Sequence, residues 1–63
     1  MSSFITVHDE AWNNRLTAIK KMAITSVAET LSGKAVIKYG NDIAVQTSES
    51  FVDVLRLMKW EEL

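Results

Sequence analysis

The chain has 63 residues, no cysteine and one histidine, so disulfides, thiolate metal sites and histidine-cluster metal sites are all excluded. Seven Lys and Arg against eight Asp and Glu leave a formal net charge of −1, with Lys20-Lys21 the longest basic run. That balance argues against a DNA-binding role, which leans on basic patches and counterion release. A chain this short forms one domain, and its high apolar content of 48% leans toward association with a partner.

The N-terminal stretch from Met1 to His8 lacks both a basic region and a long apolar one, so no signal peptide is expected. No apolar run approaches the roughly 20 residues of a membrane span. The expected location is the cytoplasm, or a particle assembled there.

The first predicted element is a helix from about residue 7 to 32. Thr6 offers a capping hydroxyl, and Asp9 and Glu10 place carboxylates in the first turn. An apolar stripe follows at Trp12, Leu16, Ile19, Ala23, Val27 and Leu31, spaced as on one helical face. Gly33 is read as the stop, since glycine takes the left-handed conformation after a helix end without penalty.

A hairpin is predicted next, over about residues 35–47. Lys34 to Tyr39 and Ile43 to Thr47 are rich in strand formers and flank the turn signal Gly40-Asn41-Asp42. Alternation puts Ala35, Ile37 and Tyr39 on one face and Ile43 and Val45 on the partner's. A second helix is predicted over about 49–61, capped by Ser50 and with Phe51, Val54, Leu55 and Met58 as its core stripe. The expected fold is α+β: helix, β-hairpin, helix, with two roughly antiparallel helices packed on a two-stranded hairpin. Its core is expected to be Leu16, Ile19, Ala23, Val27, Ile37, Val45, Phe51, Val54, Leu55 and Met58.

No spacing supports catalysis. His8 beside Asp9 and Glu10 reads as a solvated helix start, and Glu61-Glu62 as a solvated end. Phosphate-binding glycine loops, a zinc-type HExxH and a nucleophile elbow are all missing from the sequence. The chain is therefore expected not to be an enzyme and to need no cofactor.

Two features suggest contact surfaces. Val52, Leu57, Trp60 and Leu63 exceed what one core stripe needs, and tryptophan is a common interface anchor. They serve either a partner or a wide core contact. The apolar arm of Phe4, Ile5 and Val7 either staples onto the first helix or docks on a neighbouring chain. The candidate protein-interface residues are Phe4, Ile5, Val52, Leu57 and Trp60.

Leu31-Ser32-Gly33-Lys34, Val36, the Gly40-Asn41-Asp42 turn, Val45, Thr47-Ser48 and Val54-Leu55 together resemble the head-to-tail joining protein W family of lambda-like phages. The resemblance spans about residues 16–58 and rests on element order and turn chemistry. It implies a structural virion protein that completes the head below the portal. Its partners would be portal and neck proteins, with copies forming a ring-like homo-oligomer in the particle and no specific nucleic-acid ligand. The competing reading is a small regulatory or inhibitory protein-binding module, monomeric or homodimeric.

Overall fold

The computed structural model describes residues 3–58. It contains a five-stranded antiparallel sheet and a single α-helix, with 57% of the described residues in strands. The strands are β1 (Phe4–Asp9), β2 (Arg15–Lys20), β3 (Ile24–Glu29), β4 (Lys34–Tyr39) and β5 (Ile43–Ser50). Helix α1 covers Phe51–Leu57. Short 3-10 turns at Glu10–Trp12 and Lys21–Ala23 join β1 to β2 and β2 to β3. The spatial order is β2-β1-β5-β4-β3, so β2 and β3 are the two edges.

The predicted first helix, residues 7–32, is not formed; three strands occupy that region. The reason is local. Val7, Thr17, Ile19, Ile24, Thr25 and Val27 are β-branched and favour extended backbone. Asn13 and Asn14 both adopt left-handed backbone, with φ of 58° and 60°, which no α-helix tolerates in its interior. They reverse the chain between β1 and β2, and asparagine suits that conformation. Six regular pairs follow, from Asp9 opposite Arg15 to Phe4 opposite Lys20.

The expected helix–hairpin–helix is thus corrected to a mostly β architecture with one helix. The hairpin itself is present, longer than predicted: Tyr39 pairs with Ile43 and Ile37 with Val45. Gly40 at φ 62° and Asp42 at φ 62° make its turn. Gly33 does take positive φ, at 85°, but inside the β3–β4 turn, where its N–H donates to the Thr30 carbonyl at 2.9 Å. The second helix begins later than expected, at Phe51, and ends at Leu57; the part of the expectation over 59–61 lies outside the described residues. Ser50 caps it as read from the sequence, accepting the Asp53 N–H at 3.1 Å.

Strand alternation now decides the core. Ile5 and Val7 of β1 face inward with Ile19 of β2, Ala35 and Ile37 of β4 and Val45 of β5. Val54 of α1 lies over them, fully buried. Of the expected core, Ile19, Ile37, Val45 and Val54 are buried. Ala23, Val27, Phe51, Leu55 and Met58 are half-buried, and Leu16 is exposed. Leu16 pairs with His8 on the outer face, which a helical stripe could not anticipate.

Candidate protein-binding surface

The β1–β2 turn presents an exposed aromatic side chain held by its neighbours. Trp12 is 65% exposed, and so is Leu16 four residues on. The Arg15 guanidinium carbon sits 5.2 Å from the Trp12 ring centroid, a cation–π arrangement. Arg15 also reaches back to the buried Asp9 carboxylate, at 3.7 Å. Asp9 is 5% exposed and faces inward like Val7, so it holds the guanidinium from below. The Ser48 hydroxyl bonds to the Asn14 side chain, which ties the turn to β5. The indole is therefore carried on a braced turn.

The neighbouring polar groups are engaged. Glu10 forms an ion pair with Lys34 and accepts from the Gln46 amide at 3.0 Å. His8 and Glu49 pair at 2.6 Å. Burial pushes the Glu49 carboxyl up, but hydrogen bonds from the His8 ring and the His8 backbone N–H outweigh it and hold the pKa below the usual carboxylate range. His8, Asp9 and Glu10, adjacent in sequence, thus serve three separate contacts. They do not converge, and no cluster of metal-ligating side chains occurs among the described residues. No helix among them is long and apolar enough to cross a membrane.

A second feature is an apolar groove of about 270 Å³ between β3 and α1. Residues 24–27 line one side, and Phe51, Leu55 and Met58 the other. Four consecutive strand residues cannot all belong to one face, so the edge of β3 itself borders the groove.

The interface residues expected from the sequence scatter. Ile5 is 2% exposed and belongs to the core, so it is not open to a partner. Phe4 lies on the outer face of β1, half exposed. Val52 and Leu57 lie on the exposed side of α1, away from buried Val54. Trp60 and the Glu61-Glu62 pair lie outside the described residues. Trp12 and Leu16 were missed because both fitted the helical stripe. The adjacent Asn13-Asn14 was the signal that could have placed them at a hairpin turn. No protein-family model, curated protein or solved structure matches this chain.

Proposed function

We propose that this chain is a non-enzymatic protein-binding domain that docks a neighbour through the Trp12 turn. The observation that carries this reading is the exposed indole stacked by Arg15 on a turn fixed by Asn13, Asn14 and Ser48. Tryptophan and arginine are the residues most enriched in interface hot spots. An anchor already held in place loses little freedom on binding, which favours affinity. Leu16, exposed on the outer face of β2 opposite His8, adds apolar area at the same end of the sheet.

A head-to-tail joining role with portal and neck proteins is a narrower form of this reading. The helix–hairpin–helix order that suggested it is replaced by a sheet, so it draws support only from chain size and from protein binding as such.

The test is affinity purification of the tagged chain from its own host. A stoichiometric protein partner should be recovered with the wild type and lost with Trp12→Ala and Leu16→Asp, while both variants remain folded by circular dichroism and Trp12→Ala melts only slightly lower for loss of the Arg15 contact. Recovery of ring-shaped particles would favour the narrower role. An unchanged partner set with both variants would sink the assignment of this surface. Salt-sensitive nucleic-acid binding that survives them would replace the reading altogether.

A further inference from the structure

We infer that the free edge of β2 is a strand-addition site, at which an acidic, extended segment of a protein partner lies antiparallel to residues 16–20 and extends the sheet. This deepens the docking reading above and rests on it in one respect, that a protein neighbour engages this region of the chain. The hydrogen bonds of the β1–β2 hairpin decide which backbone groups face outward. The Lys21 N–H donates to the Ser3 carbonyl at 2.9 Å, next to the pair of Phe4 with Lys20. In an antiparallel ladder, bonded and non-bonded pairs alternate. Ile5 with Ile19, Val7 with Thr17 and Asp9 with Arg15 are therefore the bonded pairs. Leu16, Ala18 and Lys20 turn their N–H and C=O groups away from β1, and no strand of the sheet lies on that side.

Of the two edges of the sheet, β2 is the one that fits an added strand. Its ladder runs through six pairs without a bulge, whereas the β3 register breaks between Ile24 and Ser26. Bulges protect an edge from pairing. Charge names the occupant. β2 carries Arg15 and Lys20, and Lys21 follows. Among the described residues Lys20 and Lys21 enter no ion pair, while the carboxylates of Glu10, Glu49 and Asp53 are engaged elsewhere. Cations on an edge deter like strands; a second β2, laid antiparallel, would set Arg15 beside Lys20. An acidic strand meets the opposite field. Opposite residues in a pair share a face, which orders its side chains. An acid opposes Lys20, apolar residues oppose Ala18 and Leu16 on the outer face, and a second acid opposes Arg15 at the Trp12 end. Backbone bonds along the edge supply affinity, and the alternate side chains supply specificity.

The probe is the peptide Glu-Thr-Val-Thr-Leu-Glu, blocked at both ends, and the readout is amide hydrogen exchange of the full chain by nuclear magnetic resonance. At roughly millimolar peptide, the N–H groups of Leu16, Ala18 and Lys20 should gain protection. Those of Thr17 and Ile19, already bonded to β1, should not change. Methylating the valine nitrogen of the peptide removes its bond to the Ala18 carbonyl and should weaken binding roughly tenfold. Ala18→Pro should weaken it similarly; the N–H it removes has no ladder partner, and an edge position of that kind accepts proline. Lys20→Glu should weaken the acidic peptide roughly fivefold and improve binding of Lys-Thr-Val-Thr-Leu-Lys. No protection at millimolar peptide, protection of Thr17 and Ile19 instead, or equal binding of the two peptides by the wild type would each overturn the inference. So would the same protection from a single-stranded oligonucleotide and none from the peptide. In the host purification above, a partner lost with Trp12→Ala but kept by Ala18→Pro would leave the turn as the site and remove the added strand. A partner kept by Trp12→Ala and lost with Ala18→Pro would remove the turn and keep the added strand.

Discussion

Glu49 holds His8 at two points across 41 residues of sequence: its carboxylate accepts the His8 backbone N–H at 2.9 Å and meets the ring Nδ1 at 2.6 Å. This contact lies at the seam of the sheet. β1 and β5 share one ladder pair, Asp9 with Thr47. The next donor along β1, the His8 N–H, takes a side-chain carboxylate where a ladder carbonyl would otherwise serve. The adjacent Ser50 then caps α1, so Glu49 links the seam to the start of the helix.

The first prediction concerns that carboxylate. Its pKa is held below the ordinary value in the folded chain by the His8 hydrogen bonds, against the opposing pull of burial. A depressed folded-state pKa contributes stability above the unfolded value, and that contribution is lost as pH falls through the folded one. Acid unfolding of the wild type should therefore steepen below about pH 4.5, the ordinary value. Glu49→Gln should be less stable near neutrality and should show less of this acid dependence. Melting temperatures from pH 3 to 7 for both chains would measure it; parallel curves would contradict it.

The second prediction concerns the core. Ile37 is completely buried at the centre of β4 and pairs with Val45. Ile37→Ala should cost about 2–5 kcal/mol. A domain of this size has only about 3–9 kcal/mol in hand. Chemical denaturation should therefore show either a largely unfolded variant or a midpoint far below the wild type. Leu55→Ala, at a half-buried residue of the groove, should cost less than Ile37→Ala.

What the sequence made legible was the part whose signals were purely local. Gly40-Asn41-Asp42 between two β-rich runs announced a hairpin, and Ser50 with Asp53 announced a helix start; both exist. The first half misled because its apolar residues happen to fall at spacings of three and four. Trp12, Leu16 and Leu31 completed that stripe, yet all three are exposed. Inward alternation at Ile5, Val7 and Asp9 was obscured, since the third buried position is a carboxylate. The long-range pairings that close the sheet, β1 with β5 above all, leave no short-range trace. The candidate site followed the same division. Trp60 drew attention as an aromatic surplus, whereas Trp12 was placed on the apolar stripe of a helix that does not form.

A third prediction uses the turn that the helical reading overlooked. Asn13 sits at φ 58°, where a Cβ-bearing residue without a short polar side chain is strained. Asn13→Ala should destabilise by about 1 kcal/mol. Asn13→Gly should be neutral or better, because glycine adopts this backbone freely. Thermal melts of the two variants give the comparison. If both behaved alike, side-chain bonding and not backbone conformation would be the role of Asn13.

The last prediction concerns how Trp12 is presented. Arg15 bridges two unlike partners: the exposed indole at 5.2 Å and the buried Asp9 carboxylate at 3.7 Å. Arg15→Ala removes both at once, and the stacking alone is worth about 0.5–1 kcal/mol at an exposed site. It also strips a buried carboxylate of its cation, which adds to the loss. Arg15→Lys should fall between, since an ammonium can still approach Asp9 but lacks the flat guanidinium that stacks on the ring. The readout is Trp12 emission in a Trp60→Phe background together with the melting temperature. Arg15→Ala should change the emission and lower the melt, and Arg15→Lys should preserve more of the stability than of the emission. Wild-type emission from Arg15→Ala would mean that the turn holds the indole without help from the guanidinium, leaving Asn13, Asn14 and Ser48 as its support.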